Sequence, residues 1–315
     1  YLGVLGEGGK YTGEFGSVGR LSWLGDTLVV SDPATLRAVG FVNDGRPVFT
    51  IDLSSHHLVP QSVLSGRRLL AQPEVTAANQ ATTEREIVNT DAVGRDRTAA
   101  VRLSLVHARG HLHLDTPSGP LDSYFAQPWS DHDLFDYDPS GHGIVTVRRM
   151  VSSRRQAAPA VTVTRTLPTG RIAWTRHVTY VPELIAPRDV RAAVDRYVPD
   201  LMRVPEAARL GPASLGRTIQ RALFKPAHAP AATRVVAGSD GTTWIRGADV
   251  GWSRDSRAHP SVKWTVLSAN GASLAELNLP GNLEIFVADV NHVWGTLSDA
   301  NGVPVVVRYR LRRNN

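Results

Sequence analysis

Two histidines alternate along one short segment and form the clearest metal-ligating pattern in the sequence. His111 and His113 are separated by one residue, so both imidazoles lie on one face if the segment is a strand. Asp115 continues that face, and Asp131 and Asp133 follow farther along the chain. Two imidazoles and a carboxylate can bind zinc. An exposed strand without a metal is the simpler interpretation, and we expect no metal or other cofactor.

A second pattern resembles the first half of a calcium loop. Residues 136–141, DYDPSG, place oxygen-bearing side chains at alternate positions and end in the glycine of the sharp turn. The twelfth position would be Val147, where a calcium loop needs a bidentate Glu. Residues 144–147 alternate like a strand. We therefore interpret residues 136–141 as a hairpin turn.

Signatures of common enzymes are missing from the sequence. The glycine-rich residues 6–16 lack the Gly-Lys-Ser/Thr ending of a phosphate loop and lead into a strand. Neither a Gly-x-Ser-x-Gly elbow nor a His-Glu-x-x-His helix occurs, and the absence of cysteine excludes thiol catalysis, disulfides and Cys-bound metals. Scattered Ser, His and Asp residues can still converge in space, so a lyase or hydrolase remains an alternative.

Composition places the chain among globular proteins. It has 315 residues, of which 42% are hydrophobic and 20% charged, with a formal net charge of +6. Almost all of the positive charge is arginine scattered along strands, so we expect no nucleic-acid partner. No window approaches the length of apolar residues that spans a bilayer. The chain begins at Tyr1, and we expect an exported protein, periplasmic or extracellular.

The elements that must position these residues are short strands in repeated groups. Residues 21–53 contain four apolar runs separated by Gly-Asp, Asp-Pro and Asn-Asp-Gly turns, which predicts a four-stranded meander. Similar groups occupy residues 131–181 and 233–280, and a weaker one occupies residues 61–106. The last group, residues 283–311, supplies only three strands. Repetition at this spacing is typical of a β-propeller.

The repeats predict an all-β fold, a six-bladed β-propeller in which five blades are clear. Residues 107–128 are ambiguous and are the place for a degenerate sixth blade. Residues 1–6, YLGVLG, form a short apolar strand that would complete the last blade and close the ring. A pair of β-sandwiches and a large up-and-down barrel are the alternatives.

The same segments resemble a known family. Residues 6–16 followed by LGDTLVVSDP resemble the opening G-E-G-P-G-E-F and L-x-D-x-L-x-V-x-D of six-bladed β-propeller proteins related to NHL-type propellers. Gln127 to Ser130, Asp240 to Arg246 and the tail from Trp264 to Leu311 resemble its later motifs. Lys10 to Thr12 replace the usual Pro, and residues 107–128 match nothing. The resemblance implies a fold and export from GC-rich bacteria, but no particular chemistry.

Residues 187–225 interrupt the strand pattern. Apolar side chains recur at helical spacing, first from Val190 to Leu201 and then from Leu215 to Phe224. Pro187 suits the first turn of a helix. We expect a helical insertion that packs its apolar stripe on the propeller, as similar insertions do in the family. The alternative is a docking arm that presents Arg217, Arg221 and Lys225 to a partner.

The sequence therefore predicts a single propeller domain over residues 1–315 with an insertion over residues 187–225. Its predicted function is non-enzymatic: an exported protein–protein interaction scaffold, an accessory subunit on the outer face of a membrane-bound complex, for example a bioenergetic one. Besides the insertion, the loop over residues 117–133 is a predicted partner surface, through Tyr124, Phe125 and Trp129. Besides the enzyme, a glycan- or ligand-binding propeller using Trp129 and Trp252 is an alternative.

Overall fold

The computed structural model describes residues 7–8, 14–64, 66, 68–76, 79, 81–149, 159–248, 261–298 and 303–312. Two short strands come first and pair in parallel: β1 (Glu7–Gly8) and β2 (Glu14–Phe15). They are followed by five antiparallel sheets, which we name blades 1 to 5, in a five-bladed β-propeller arrangement.

In blades 1 to 4 the strands pair in chain order. Blade 1 comprises β3 (Leu21–Leu24), β4 (Thr27–Asp32), β5 (Arg37–Phe41) and β6 (Pro47–Asp52). Blade 2 comprises β7 (Leu58–Val63), β8 (Arg68–Pro73), β9 (Glu84–Asp91) and β10 (Thr98–Ser104). A two-stranded hairpin follows: β11 (Arg109–Thr116) and β12 (Gly119–Ala126).

The remaining blades lie on either side of a helical segment. Blade 3 comprises β13 (Leu134–Tyr137), β14 (Ile144–Arg148), β15 (Ala160–Thr166) and β16 (Ile172–Thr179). Three helices follow: α1 (Pro187–Leu201), α2 (Pro205–Ala208) and α3 (Pro212–Ala222). Blade 4 comprises β17 (Ala232–Ala237), β18 (Thr243–Gly247), β19 (Val262–Leu267) and β20 (Ser273–Leu279). Blade 5 comprises β21 (Glu284–Ala288), β22 (His292–Ser298) and β23 (Pro304–Arg310).

Turn chemistry sets the strand boundaries within a blade. In blade 4, Gly241 and Gly271 have φ angles of 83° and 81°, a region that favours glycine, and each follows an Asp or Asn. A Cβ atom on Gly271 would also lie 2.9 Å from the ring of Trp174 in blade 3. The Asp-Gly and Asn-Gly hairpins predicted from the sequence are thus confirmed.

The hydrophobic core lies between successive blades. Separate clusters of buried side chains join blade 1 to blade 2, blade 2 to blade 3, blade 3 to blade 4, and blade 4 to blade 5. Val39, Leu69 and Val163 are completely buried, and each such side chain contributes about 1.5–3 kcal/mol of hydrophobic free energy. Each blade therefore depends on its neighbours for stability.

Blades 1 and 5 leave large apolar side chains exposed, although Phe15 of β2 packs on the buried apolar side chains of blade 1. Leu21 and Trp23 of blade 1 are 57% and 52% exposed, and Phe286 and Val306 of blade 5 are 57% and 72% exposed. We name these two sets of exposed side chains, one on each blade, the seam. Residues 1–6, the predicted closing strand, lie outside the described residues.

The segment proposed as a sixth blade has a different structure. Residues 109–126 form only the β11–β12 hairpin, and its apolar face packs on the helices instead of on a neighbouring blade. Leu114 lies against Leu215 and Ala207, and Leu112 against Ile219. We name the hairpin and the three helices the helical subdomain.

The predicted helical insertion is confirmed in position and kind. Pro187 occupies the first turn of α1, where its missing N–H costs nothing, and the Asp189 carboxylate accepts a hydrogen bond from the Ala186 N–H at 2.8 Å. No helix in the described ranges is long and apolar enough to cross a membrane.

Candidate functional site

The exposed face of the β11–β12 hairpin gathers titratable side chains. His111 Nε2 lies 2.8 Å from Asp122 Oδ1, and His113 Nδ1 lies 2.9 Å from the same oxygen. The second ring nitrogen of His113, Nε2, lies 3.6 Å from Asp115 Oδ1. The ring of Tyr124 stacks on His111 with their centroids 4.9 Å apart. One carboxylate oxygen therefore joins two imidazoles.

The hydrogen bonds of this group change its protonation. The hydrogen bond to Asp122 and the negative charge of that carboxylate raise the pKa of His113 above 6.5. The hydrogen bonds from His113 and then from His111 lower the pKa of Asp122 below 3.8. The carboxylate is therefore ionised at neutral pH, and His113 takes up a proton more readily than a free imidazole.

The two histidines lie on one face, as the sequence pattern predicts, but the pattern does not indicate Asp122. It indicates Asp115 and the more distant Asp131 and Asp133 as the neighbouring carboxylates. The hairpin register sets Asp122 directly opposite His113, because residues 117–118 form the turn. Pro117, Ser118 and Gly119 were the signal that could have predicted this pairing. As it stands, no group of three His, Asp or Glu side chains in the described residues is arranged as a metal site.

A basic stripe lies on the outer side of the helical subdomain. Arg217 and Arg221 are four residues apart on α3 and both are exposed, as is Lys225 beyond the helix end. The Lys225 ammonium donates a hydrogen bond to the Gln220 carbonyl at 2.6 Å. Residues 187–225 contain eight Arg or Lys and four Asp or Glu, a net charge of +4 out of +6 for the chain.

The three aromatic residues of the predicted loop surface have different environments. Tyr124 is half-buried on the exposed face of the hairpin, where it stacks on His111. Phe125 points to the other face, with its ring centroid 4.9 Å from that of Tyr197 on α1. Trp129 is only 1% exposed and lies in the core of the helical subdomain. The expectation of an exposed Trp129 is thus corrected, because the helices cover it. Trp252 lies outside the described residues.

A buried polar junction connects the segment that precedes blade 3 to blades 3 and 4. Arg149 donates hydrogen bonds to the His132 carbonyl at 2.7 Å and to the Ala232 carbonyl at 2.8 Å. Burial, followed by the charge of Arg149, lowers the pKa of His132 to about 4, and burial lowers that of Arg149 to about 10. Since Arg149 Nη2 also lies 3.1 Å from His132 Nδ1, this neutral ring accepts there and carries its proton on Nε2. The junction is structural.

Polar contacts join blade 1 to blade 3 and blade 3 to blade 4. Arg20, just before blade 1, forms an ion pair with Asp136 of blade 3, and Asp136 Oδ2 accepts the Ala237 N–H of blade 4 at 2.8 Å. The Trp23 N–H also donates to the Pro139 carbonyl at 3.2 Å. Both oxygens of Asp136 are thus engaged in contacts between blades. The residues of the suspected calcium loop form a hairpin turn, as the sequence predicted.

Comparisons with known proteins find only distant similarities to solved structures, with TM-scores below 0.5. No protein family matches the chain, and no curated protein matches it. A DUF4221 family member from Bacteroides vulgatus is 7% identical over 91% of this chain and 76% of its own, with a TM-score of 0.37. The β-propeller domain of the Trilobed protease from Pyrococcus furiosus is 9% identical over 93% and 82%, with a TM-score of 0.37. BamB from Moraxella catarrhalis is 15% identical over 91% and 70%, with a TM-score of 0.25.

Proposed function

We propose that this chain is a single, non-enzymatic β-propeller domain that acts as a protein–protein interaction scaffold and docks through the basic stripe of its helical subdomain. The observation that carries the proposal is the exposed position of Arg217 and Arg221 on a helix whose opposite face is anchored in a core. Arginine is a common carrier of binding energy at protein interfaces.

The like charges of the basic stripe destabilise α3, and a partner of opposite charge would relieve this repulsion. Like charges four residues apart on a helix destabilise it by roughly 0.2–0.5 kcal/mol. Arg217 and Arg221 have this spacing, and neither forms an ion pair within the described part of the chain. An acidic partner surface would remove the repulsion and add charge-assisted hydrogen bonds. The proposed partner is therefore a protein with clustered Asp and Glu side chains.

The core beneath the stripe makes it a rigid platform. Leu215 and Ile219 of α3 are completely buried and lie on the side opposite to the arginines. The Arg209 guanidinium donates to the Ser118 hydroxyl at 3.0 Å, which connects the end of α2 to the hairpin turn. Binding at a preorganised surface loses little conformational entropy. Tyr124, on the exposed face of the same hairpin, extends the proposed contact area.

The proposal includes a location outside the cytoplasm, periplasmic or extracellular, on a membrane-bound complex. The resemblance of the glycine-rich opening and of the LGDTLVVSDP segment to exported propeller proteins supports this part. Cell fractionation with an antibody against the chain tests it, and recovery in the cytoplasmic fraction alone would contradict it.

Charge reversal tests the docking surface. The variant Arg217→Glu/Arg221→Glu and a matched control, Arg95→Glu/Arg171→Glu, change the net charge equally, and all four side chains are exposed. The proteins bound to each variant in native membranes are compared with those of the unmodified chain by quantitative mass spectrometry. We expect the α3 variant to lose its partner by tenfold or more and the control to retain it, with both remaining folded by circular dichroism.

Two further results decide the proposal. Complex formation should weaken as salt rises from about 50 to 300 mM, because exposed charges are screened. Equal recovery of the partner by both variants would contradict docking at the stripe. Trp129→Ala is unsuitable as an interface test, since this buried side chain supports the subdomain core.

A further inference from the structure

We propose that blade 5 binds a phosphate group, either inorganic phosphate or the phosphate of a small ester, in an open cavity between the start of β22 and the end of β23. The cavity has a volume of about 560 Å³ and is lined by Asn291, His292, Arg308, Arg310 and Leu311. Its two ionised side chains are both arginines, whose planar fork of N–H donors matches phosphate oxygens. The site is separate from the basic stripe of α3.

The strand register brings the basic side chains of the cavity to one face of blade 5. In the β22–β23 ladder, Arg310 is the direct partner of His292, and Arg308 is the direct partner of Trp294. Direct partners lie on the same face of a sheet, and residues two apart along a strand share that face at a spacing of about 7 Å. The two guanidinium groups therefore extend from neighbouring positions and can bind one anion together.

Arg308 is already oriented by its neighbours. Its guanidinium carbon lies 5.0 Å from the centre of the Trp294 ring, which is a cation–π contact. Its Nη2 lies 2.8 Å from Nε2 of His292, and since an arginine can only donate, that imidazole nitrogen accepts. The Nε and Nη1 groups of Arg308 have no hydrogen-bond partner among the described residues. A preorganised donor loses little conformational entropy when it binds a ligand.

The carboxylate beside the cavity, Asp289, belongs to a turn and does not pair with the arginines. Its Oδ1 accepts the backbone N–H groups of Asn291 and His292 at 2.7 and 2.8 Å, and it lies 3.5 Å from Nδ1 of His292. Arg310 is exposed and forms no hydrogen bond or ion pair with any residue that the structure describes. Because like charges at neighbouring positions of a sheet repel, a bound dianion would stabilise this face.

The backbone around the cavity is fixed. The Leu311 N–H donates to the Asn291 carbonyl at 2.7 Å, which joins the chain beyond β23 to the turn between β21 and β22. Val307 and Tyr309 alternate with the two arginines and pack on the core between blades 4 and 5. The opposite face of β23 is therefore anchored, and the arginines keep their separation.

Two arginines at one cavity favour a phosphate over a carboxylate. A phosphate monoester carries a charge of about −1.5 to −2 at pH 7 and offers three acceptor oxygens, enough for both guanidinium groups. A single carboxylate carries one charge and is satisfied by one bidentate arginine. The cavity is open to solvent, so the remainder of an ester can project outward.

Isothermal titration calorimetry with inorganic phosphate tests the proposal, on the full chain in a phosphate-free buffer at pH 7.5 and low salt. We expect binding at one site in the unmodified protein, and at least tenfold weaker binding in Arg308→Gln and in Arg310→Gln. Each substitution removes charge-assisted hydrogen bonds, which are stronger than neutral ones. The matched control is Arg171→Gln, an exposed arginine just before β16, which changes the net charge equally and should leave phosphate binding unchanged.

Substitutions of Trp294 test how Arg308 is positioned. Trp294→Leu removes the ring under the guanidinium and should weaken phosphate binding by about twofold to fivefold, the usual effect of an exposed cation–π contact. Trp294→Phe keeps an aromatic ring and should restore most of the affinity. Circular dichroism should show both variants folded, so that a general loss of structure does not explain the difference.

Other ligands identify the source of the phosphate. Glycerol 3-phosphate carries the group on a small ester, and whichever of this ester and inorganic phosphate binds more tightly is the better model of the ligand. Sodium acetate should bind at least tenfold more weakly than either. The proposal would be overturned if neither phosphate bound at about 10 mM, if acetate bound as tightly, or if both arginine variants bound phosphate as the unmodified protein does.

Discussion

The side-chain amide of Gln127 is hydrogen-bonded to the backbone N–H of Phe224, just beyond the end of α3, at 2.9 Å. Its amide nitrogen donates to the Ala222 carbonyl at 2.8 Å, so one buried side chain satisfies two backbone groups at this helix end. The helix and the chain that leaves the hairpin are thereby joined through a single glutamine. Gln127 belongs to the segment that resembles a propeller motif. In the structure its side chain hydrogen-bonds backbone groups at the end of α3.

Gln127→Leu should destabilise the protein by roughly 1–3 kcal/mol, because it keeps the volume but leaves two backbone groups unsatisfied. Urea unfolding followed by tryptophan fluorescence measures the change. Gln220→Leu on the exposed side of α3 is the control and should change the free energy of unfolding by less than about 0.5 kcal/mol. Equal effects of the two substitutions would show that the hydrogen bonds of Gln127 contribute nothing.

The buried ion pair between Arg165 and Asp138 predicts that substitutions of the two residues have non-additive effects on the free energy of unfolding. Their side chains are 8% and 1% exposed, and Arg165 Nη1 also donates to the Gly241 carbonyl of blade 4 at 2.7 Å. Arg165→Met should cost about 3–5 kcal/mol, since it leaves a buried carboxylate uncompensated. The double variant Arg165→Met/Asp138→Asn should lose less than the sum of the two single changes.

Chemical denaturation of the four proteins gives this coupling energy. Arg102→Met on β10 is the matched control, because Arg102 and Glu86, its ion-pair partner at 3.1 Å, are 78% and 39% exposed. It should cost less than about 1 kcal/mol, as exposed ion pairs do. Additive effects at Arg165 and Asp138 would contradict a functioning ion pair.

Asp32 predicts a dependence of stability on pH. Burial favours a higher pKa, but the hydrogen bonds from the Thr35 hydroxyl and from the amides of Gly16 and Ser17 outweigh it and lower the pKa below 3.8. A lowered pKa adds stability above the ordinary carboxyl range and loses it as the pH falls through the folded-state value. Asp32→Asn lacks this contribution.

The unmodified protein should therefore be more stable than Asp32→Asn by about 1–3 kcal/mol at pH 7, and the difference should shrink toward pH 2. Urea midpoints across this pH range measure it. The exposed turn residue Asp26, changed to Asn, is the control. A difference that stays constant with pH would contradict a role for the Asp32 charge.

The exposed side chains of the seam predict that removing Tyr1 to Gly6 lowers the stability of the protein. Within the described residues, β23 pairs on one side only, with β22, so blade 5 has one strand fewer than the others. If residues 1–6 pair with β23, as the sequence predicts, their deletion uncovers an edge strand and more apolar surface. The melting temperature should fall by roughly 5 °C, about 2 kcal/mol for a chain of this size.

Removal of residues 313–315 from the other end is the control and should leave the melting temperature unchanged. Because the chain lacks cysteine, a pair introduced as Val4→Cys and Val306→Cys also reports directly on proximity. Unchanged stability of the shortened chain, together with no disulfide in this pair, would rule out closure by residues 1–6.

The blades could be predicted from the sequence because their signals are local. Residues 21–53 were predicted as one meander, and β3 to β6 occupy residues 21–52. Residues 233–280 were predicted as another, and blade 4 occupies residues 232–279. Alternation of apolar side chains and Asp-Gly or Asn-Gly turns depend on neighbours in the chain, so tertiary contacts did not alter these boundaries.

The packing of the β11–β12 hairpin on the three helices could not be predicted, because these contacts are distant in sequence. Alternation around Leu112 and Leu114 indicates a strand with one apolar face, but it does not say whether a blade or a helix covers that face. Trp129 was expected on the surface for the same reason, since the helices that bury it begin at Pro187. Asp122 depended on the hairpin register, which the sequence prediction had not assigned to residues 107–128.

The two parts of the helical subdomain lie on either side of blade 3 in the chain, and this arrangement bears on synthesis at the ribosome. The hairpin ends at Ala126, blade 3 occupies residues 134–179, and α1 begins at Pro187. While the chain is being made, Leu112 and Leu114 emerge long before the helices that cover them. Leu215 and Ile219 of α3 follow them by about 100 residues, so this apolar strand face stays uncovered for roughly 5–20 s of chain elongation. The nascent chain is most exposed to aggregation and to chaperone binding in this interval, and it ends when α3 leaves the ribosome.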